Sequence, residues 1–332
     1  MANRIRPVYY LSNAFGQFPQ VLPYYEKLGG LVFVDGENTK LLGEAIYKGL
    51  NITTDINVVT RYNPNIIIYT DYFSLIKTPP NVKHIMIFHA IEFKGYFAID
   101  RPWNLSEKYD LCLLYGNRIL EEFNNSKFNP KYKIIGYPRF DNIVSAIKIF
   151  DNDKKTVLVA PTWSDESLLH KFVDSIIELL NYYNVIIKPH PNSITRAGDN
   201  NGGHITKLLT IKDKDLEMVG DPNILPYMEQ SDILLTDYSG VSAEYMFFNK
   251  PVIICDPKCL PTGIAVNPDI WDVFKVCENP SDLHKMIKTQ LINDEMKEER
   301  NNYFKKLVYT EEGSTATERG IKAIEELLEA KK

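Results

Sequence analysis

The sequence predicts an α/β fold with parallel sheets, and two features support this prediction. Short apolar runs recur along the 332 residues, and segments with apolar residues at helical spacing, such as residues 167–182, separate many of them. Strand and helix in alternation is typical of parallel sheets with helices on both faces. The runs are Leu31–Val34, Ile66–Tyr69, His84–Phe88, Leu111–Tyr115, Lys133–Ile135, Val157–Ala160, Val185–Ile187, Ile233–Leu235 and Val252–Cys255.

A charged, turn-prone interruption divides the chain into two halves of similar size. The sequence FDNDKK ends at residue 155 and is followed at once by the apolar run TVLVA. We therefore predict an N-terminal domain over residues 1–150, a second domain over 151–312 and a C-terminal amphipathic helix over 313–332. This helix is expected to dock on either domain through one apolar face, which carries Ile321, Ile324, Leu327 and Leu328.

The composition is that of an ordinary globular protein. Hydrophobic residues make up 44% and charged residues 24%, and the net charge of −5 argues against a broad basic surface for nucleic acid. Cys112 and Cys255 lie in apolar runs and are expected to be buried thiols. The sequence shows neither a secretory leader nor a membrane-spanning run. We therefore expect a cytoplasmic protein, with peripheral attachment to the inner face of the cell membrane left open.

Five polar corners follow apolar runs of the predicted sheets. Ligands of open parallel sheets bind outside the carboxyl ends of the strands, so we treat the corners as one candidate site. The corners are FHAIEFKGY after residues 85–88, GYPRFD after 134–135, PTWSDES after 157–160, KPHPNS after 185–187 and TDYSG after 233–235.

The corner TDYSG favours an anionic ligand such as a phosphate. Ser239 and Gly240 begin a helix-like segment, where free backbone N–H groups attract anions, and a glycine lets the backbone approach a ligand closely. Glu244, about one turn later, could accept hydrogen bonds from a ribose diol. A structural interpretation stays open, in which Ser239 is only a helix cap and Asp237 only a turn residue.

Two histidines at strand ends are candidates for chemistry. Pro189 and Pro191 restrict the backbone around His190, which suits a hydrogen bond to a diphosphate. His89 could act as a general base, because histidine titrates near neutrality. Structural roles fit both residues equally well: a solvated imidazole for His190 and a hydrogen bond to neighbouring backbone for His89.

The remaining signals are weaker. Arg139 could pair with a phosphate through two hydrogen bonds or form a salt bridge with Asp141. The DxD-like triplets Asp151–Asp153 and Asp213–Asp215 match metal-dependent glycosyltransferases, but one precedes a strand and the other lies in a charged loop, so we interpret both as chance. HExxH, Walker, GxSxG and GxGxxG motifs are absent from the sequence. The sequence predicts no metal site and no cofactor.

Taken together, the corners resemble those of the CDP-glycerol glycerophosphotransferase family, the teichoic-acid primases and polymerases. That family carries a His corner with a downstream Lys, then GYPRxD, APTW, KxHP and TDYSS with an acid five residues on. The resemblance covers roughly residues 84–255 of this chain. The matching residues are His89 with Lys94, Gly136–Asp141, Ala160–Trp163, Lys188–Pro191, and Thr236–Gly240 with Glu244.

The resemblance implies a GT-B fold, with two Rossmann-like domains facing a central cleft and the nucleotide donor held mainly by the C-terminal half. It also implies transfer of glycerol phosphate from CDP-glycerol to a hydroxyl of a lipid-linked or polymeric glycan acceptor, with release of CMP, in teichoic-acid-like or capsule polymer synthesis. The chain differs from the family pattern at residues 90–92, where the family has Gly-Thr-Pro, and at Gly240 and Glu244. These differences leave CDP-ribitol open as the donor.

The corners and the resemblance together assign roles to individual residues. His89 is the expected base for the acceptor hydroxyl, and His190 is expected to stabilise the diphosphate. Glu92 and Lys94 are expected on the acceptor side. The expected donor-binding residues are Lys188, Arg139, Thr162, Asp237, Ser239, Gly240, Val241 and Glu244.

Two other functions stay open at the level of sequence. The first is a GT-B glycosyltransferase or epimerase that uses a UDP- or GDP-sugar. The second is a non-catalytic binding subunit of a wall- or capsule-building complex, although mere folding does not require both histidines. A lipid-linked acceptor would further imply peripheral membrane contact, for which Tyr24, Tyr25 and the aromatics of residues 93–96 are candidates.

Overall fold

The protein, described here by a computed structural model, forms two compact units, each built on one parallel β-sheet. The first unit lies within Met1–Ile91, Tyr96–Asn142 and Lys305–Lys332, and the second within Ile143–Phe304. The structure describes residues 4–11, 15–71, 75–89, 91, 109–120, 131–141, 143, 148–163, 165, 167–195, 201–237, 239–255 and 268–330.

A seven-stranded parallel sheet forms the core of the first unit. Its order is β3-β2-β1-β4-β5-β6-β7, so the direction of winding reverses between β1 and β4. The strands β1, β4 and β6 are fully buried and almost entirely apolar, as expected for a sheet covered on both faces. The strands are β1 Pro7–Tyr10, β2 Leu31–Phe33, β3 Ile52–Thr53, β4 Ile66–Tyr69, β5 Lys83–Met86, β6 Leu111–Leu114 and β7 Tyr132–Ile134.

The helices of the first unit include the C-terminal helix, whose docking partner the sequence left open. Thr315 and Glu318 form a capping box at its start, each side chain accepting a hydrogen bond from the other residue's backbone amide. Ala323 and Ile324 are buried in the same core cluster as Tyr9 of β1. The helices are α1 Phe18–Leu28, α2 Glu37–Ile46, α3 Ile56–Tyr62 and, at the C-terminus, α11 Ala316–Glu329, and 3₁₀ turns occupy Phe15–Gln17 and Pro138–Phe140.

A six-stranded parallel sheet forms the core of the second unit. Its order is β10-β9-β8-β11-β12-β13, which repeats the arrangement of the first unit and places the reversal of winding between β8 and β11. Ligands of such sheets bind at the carboxyl ends of the two strands that flank the reversal. The strands are β8 Thr156–Ala160, β9 Asn184–Ile187, β10 Leu216–Met218, β11 Ile233–Thr236, β12 Val252–Cys255 and β13 Lys275–Cys277.

Helical spacing explains how the second sheet is covered. In α4, Leu169, Phe172, Val173 and Ile176 follow an i, i+3, i+4, i+7 pattern and are all buried in one core cluster. The helices are α4 Leu169–Glu178, α5 Pro191–Thr195, α6 Gly202–Leu209, α7 Leu225–Gln230, α8 Val241–Tyr245, α9 Leu283–Ile292 and α10 Lys297–Leu307, and 3₁₀ turns occupy Leu179–Asn181, Met246–Phe248, Pro268–Val273 and Pro280–Asp282.

The sequence pattern found most of the strands but missed four, namely β1, β3, β10 and β13. Three of them, β3, β10 and β13, are edge strands of only two or three residues. Each of these strands contains or adjoins polar residues, so their sequences lack a continuous apolar run. β1 is central and fully buried. It was not predicted, because its sequence PVYY is short and directly follows a segment with two arginines, Arg4 and Arg6.

The structure also tests the predictions of buried cysteines and of aromatic residues at a membrane. Cys112 and Cys255 are buried and free, as predicted, and burial raises the pKa of Cys112 to about 12. The prediction that Tyr24 contacts a membrane is wrong, because Tyr24 is fully buried in the core of the first unit, beneath α11. Residues 93–96 lie outside the described part of the chain. No helix among the described residues has the length and apolarity needed to cross a membrane.

Candidate active site

Asp237 joins the two strand ends that flank the reversal of winding in the second sheet. It follows β11, and its carboxylate accepts hydrogen bonds from the backbone amides of Thr162, at 2.9 and 3.0 Å, and Leu168, at 2.8 Å. The neighbouring Thr236 hydroxyl donates to the carbonyl of Ala160 at 2.7 Å. Asp237 is only 2% exposed. Its carboxylate therefore holds the corner after β8 in place. This role is structural, but it differs from the turn residue expected as the alternative to donor binding.

The corner after β8 is held from a second direction by α6. The side-chain amide of Asn201, which is fully buried just before α6, donates to the carbonyl of Thr162 at 3.3 Å. Thr162 itself is 9% exposed. The two predicted donor residues Thr162 and Asp237 therefore lie together at the carboxyl end of the sheet.

The corner after β11 begins the short helix α8. The hydroxyl of Ser239 accepts a hydrogen bond from the amide of Val241 at 3.4 Å, and its carbonyl accepts from the amide and hydroxyl of Ser242 at 3.1 and 2.8 Å. Gly240 has φ −58° and ψ −14°, which is ordinary helical backbone. A glycine is thus not required here by backbone conformation, and the serine of the family pattern would fit the same φ and ψ.

Glu244 lies on the same helix as predicted, one turn after the corner. It is in the first turn of α8, where the helix dipole favours a negative charge, and it is 6% exposed. The structure therefore places Ser239, Gly240, Val241 and Glu244 on one short segment directly after β11.

The corner after β9 fixes the orientation and the tautomer of His190. The amide of Asn192 donates to Nδ1 of His190 at 3.1 Å, and the imidazole stacks on Trp163 with ring centroids 6.2 Å apart. Because Nδ1 accepts this hydrogen bond, the neutral imidazole carries its proton on Nε2. Lys188, before it, is 4% exposed, and its ammonium donates to the carbonyl of Pro189 at 3.4 Å.

His89 of the first unit has the opposite tautomer. It follows β5, and its Nδ1 lies 2.8 Å from the carbonyl oxygen of Thr70 and 3.6 Å from a carboxylate oxygen of Asp71. A carbonyl oxygen only accepts, so Nδ1 carries the proton and Nε2 of the neutral imidazole carries the lone pair. The structural alternative for His89, a hydrogen bond to backbone, is therefore present, and it prepares the other nitrogen to accept a proton.

The backbone around His89 is fixed by buried polar side chains. Gln20, which is 2% exposed, donates to the carbonyls of Ile87 and Phe88 at 3.3 and 2.7 Å. The hydroxyl of Tyr137 donates to the carbonyl of His89 at 3.4 Å. Phe88 has a positive φ of 22°, an uncommon conformation that the surrounding hydrogen bonds maintain.

The GYPRFD corner after β7 has a structural explanation for its first and last residues. Gly136 has φ +86°, and a Cβ there would lie 2.5 Å from the carbonyl oxygen of Tyr309. Asp141 accepts hydrogen bonds from the amides of Ala316 and Thr317 at the start of α11, at 2.9 and 2.7 Å. Arg139 lies between them in a 3₁₀ turn and is half-buried.

Two predicted residues lie outside the described part of the chain, and two other residues near His89 were not predicted. Glu92 and Lys94, predicted on the acceptor side, lie outside the described residues. Asp71 was not among the predicted residues. The sequence does carry a signal for it, because Thr70 and Asp71 form a sixth polar corner after the run Ile66–Tyr69. Nothing in the sequence marks Gln17, which contacts the same corner.

The two DxD-like triplets belong to a hydrogen-bond network at the amino ends of the strands. The side-chain amide of Asn152 donates to Asn184 and Asp215 at 3.0 and 3.1 Å, and the ammonium of Lys154 lies 2.6 Å from Asp215. These residues tie the starts of β8, β9 and β10 together. Because ligands bind at the opposite ends of the strands, the triplets serve the fold.

The two Rossmann-like units, each with polar corners at the carboxyl ends of its strands, have the GT-B fold. The chain belongs to the CDP-glycerol:poly(glycerophosphate) glycerophosphotransferase family, whose model matches residues 56–326. The fold and the family predicted from the sequence are thus confirmed. A sequence search of curated proteins found no match.

Solved structures share the fold at low sequence identity. The wall teichoic acid polymerase TagF superposes with a TM-score of 0.67 at 15% identity, covering 99% of this chain and 90% of that chain. A TagF variant soaked with CDPG gives 0.69 at 16%, covering 100% and 91%. The S. aureus MnaA–UDP co-structure gives 0.61 at 13%, covering 98% and 97%.

Proposed function

We propose that the protein transfers an alditol phosphate, glycerol phosphate in the first instance, from a CDP-alditol to an acceptor hydroxyl and releases CMP. The observation that supports this most directly is the opposite tautomers of the two histidines. His89 presents a lone pair on Nε2, whereas His190 presents an N–H at Nε2. Transfer to a hydroxyl needs one group that accepts a proton and another that donates to an anion.

The acceptor side of the reaction is assigned to His89. The acceptor oxygen attacks the β-phosphorus and forms a new P–O bond, while its proton moves to Nε2 of His89. The bond between the β-phosphorus and the bridging oxygen breaks, and CMP leaves with that oxygen. An alcohol is a poor nucleophile until its proton is removed, which is why a fixed base at this position is useful.

The donor side is assigned to the strand-end corners of the second unit. The Nε2–H of His190, at the corner after β9, donates to a diphosphate oxygen. The amides of Ser239–Val241, at the corner after β11, add further donors. Glu244 accepts hydrogen bonds from the ribose diol. We keep Arg139 and Lys188 as phosphate ligands, Thr162 and Gly240 as lining of the donor site, and Glu92 and Lys94 as acceptor contacts.

Two observations bear on the identity of the donor. The family and the TagF variant soaked with CDPG favour CDP-glycerol. The similarity to the MnaA–UDP co-structure keeps a UDP-sugar as a second candidate. The acceptor is proposed to be a hydroxyl of a lipid-linked or polymeric glycan in wall or capsule synthesis, which would place the protein at the inner face of the cell membrane.

A ligand panel tests the donor class. Thermal unfolding is recorded with CMP, CDP-glycerol, CDP-ribitol, UDP and GDP at equal concentrations. A ligand at about 100 times its Kd stabilises the folded protein by about 2.7 kcal/mol, so the melting temperature rises with the true donor. We expect cytidine nucleotides alone to stabilise the protein. Stabilisation by UDP but not by CMP would replace this proposal with the UDP-sugar alternative. CMP release, followed by mass spectrometry, then identifies the alditol.

A further inference from the structure

The environment of His89 contains a carboxylate that the reaction proposed above does not yet use. Asp71 follows β4, and one of its carboxylate oxygens lies 3.6 Å from Nδ1 of His89. The side chains of His89 and Asp71 are 17% and 31% exposed, so solvent screens their interaction only in part. The contact is longer than a hydrogen bond, and Nδ1 already donates to Thr70.

Gln17 is hydrogen-bonded to both residues that face Nδ1 of His89. Its side-chain amide donates to the same carboxylate oxygen of Asp71 at 3.2 Å, and its carbonyl oxygen accepts a short hydrogen bond from the hydroxyl of Thr70. Gln17 is 5% exposed and lies in the 3₁₀ turn that begins α1. A buried glutamine with both ends bonded has little freedom, so the Thr70–Asp71 corner is held in one geometry.

Two tyrosines also lie near this corner. Burial, with smaller contributions from Tyr69, Cys112 and Asp71, raises the pKa of Tyr109 far above its usual value. Tyr137 donates its hydroxyl to the backbone of His89. The carboxylate of Asp71 lies within ion-pair distance of the imidazole of His89.

We propose that Asp71 is a positioning residue that raises the proton affinity of His89, with Gln17 holding its carboxylate toward the ring. This inference rests on the proposed role of His89 as the base. When Nε2 takes the acceptor's proton, the ring becomes a cation, and a carboxylate 3.6 Å from Nδ1 stabilises that cation. The Nδ1 proton remains on the ring and keeps its hydrogen bond to the carbonyl oxygen of Thr70.

The test is the titration of His89 by NMR in the full-length protein without substrate, with the signal assigned by its loss in His89→Ala. We expect Asp71→Asn to lower the pKa of His89 by about one unit, because a nearby opposite charge is lost. Glu44→Gln removes the same charge from an exposed site on α2 and should leave the titration unchanged. Asp71→Glu should restore most of the wild-type value, and if Asp71→Asn does not fold, Asp71→Ser replaces it.

An activity measurement complements the titration. The acidic limb of kcat/KM against pH should move to lower pH in Asp71→Asn by the same amount, while donor affinity stays within about twofold of wild type. A His89 titration that is identical in Asp71→Asn and Glu44→Gln would overturn the inference. A wild-type protein that fails to transfer from any CDP-alditol would instead overturn the proposed function, and the titration would still report on the pair.

Discussion

The backbone amide of Thr162 lies 2.9 and 3.0 Å from the two carboxylate oxygens of Asp237. These residues are 75 positions apart in the sequence and meet because β8 and β11 are neighbours at the reversal of winding. The amide of Leu168 adds a third hydrogen bond to the same carboxylate. The aspartate of the TDYSG motif therefore shapes the corner after β8 by holding the APTW motif.

We expect Asp237→Asn to lower the free energy of unfolding by about 1–3 kcal/mol, because a buried carboxylate that accepts three amide hydrogen bonds is replaced by a group with one acceptor oxygen. Urea unfolding measures the loss. The control is Glu217→Gln, which removes the same charge from an exposed site on β10 and should change stability by no more than about 0.5 kcal/mol. Equal stability of the two variants would show that the Asp237 network contributes little.

Glu244 provides a test of the ribose assignment. We expect Glu244→Ala to weaken CMP binding by about 1–3 kcal/mol, the scale of hydrogen bonds to a charged group. Isothermal titration calorimetry measures the affinity, and circular dichroism confirms that α8 and its surroundings remain folded. A folded variant with wild-type CMP affinity would remove Glu244 from the ribose role.

The two histidines should separate turnover from donor binding. His89→Ala is expected to lower kcat by about 10²–10⁴-fold while leaving donor affinity unchanged, because a base acts on the acceptor. His190→Ala should weaken CDP-alditol binding as well, because its Nε2–H is assigned to the diphosphate. Transfer by His89→Ala at the wild-type rate would end its assignment as base. If His89→Ala binds the donor more weakly but keeps the wild-type kcat at saturating donor, His89 is a donor contact.

Gly136 should be intolerant of any side chain. Gly136→Ala places a Cβ at φ +86° and 2.5 Å from the carbonyl oxygen of Tyr309, so we expect a loss of about 1–3 kcal/mol in the free energy of unfolding. At Gly202, which starts α6, an added Cβ would lie in open space, with no packed neighbour within 4 Å. Gly202→Ala should therefore be neutral or stabilising by up to about 1 kcal/mol. Similar losses of unfolding free energy in Gly136→Ala and Gly202→Ala would contradict the view that Gly136 is required by its positive φ and by the nearby carbonyl of Tyr309.

Membrane attachment is expected if the acceptor is lipid-linked. Lys131, Tyr132 and Lys133 are exposed along β7, the edge strand of the first sheet, and are suited to an anionic surface. We expect the protein to sediment with vesicles rich in anionic lipid and to dissociate as salt is added. Lys131→Glu with Lys133→Glu should reduce the bound fraction, since each basic residue contributes about 1 kcal/mol near such a surface. Indifference to vesicles of every composition would favour a soluble acceptor.

The sequence alone determined the fold class, the family and the position of the polar corners at the ends of strands. The apolar runs at β4, β8, β9, β11 and β12 are long enough to mark buried parallel strands, because both faces of such strands need apolar side chains. The corners that follow strands must then lie at one edge of each sheet, whatever the details of packing. The edge strands β3, β10 and β13 escaped detection because they are only two or three residues long and contain or adjoin polar residues.

Only the tertiary structure decided what each polar group in those corners does. The carbonyl oxygen of Thr70 sets the tautomer of His89, and the amide of Thr162 shows what the carboxylate of Asp237 holds. The carbonyl oxygen of Tyr309 leaves no room for a side chain at Gly136. The docking of α11 on the first unit and the contacts of Gln17 with the Thr70–Asp71 corner were likewise outside the reach of sequence patterns. The tautomer of His89 and the role of Asp237 are set by hydrogen-bond partners 19 and 75 residues away. Periodicity carries no information about which distant groups will meet.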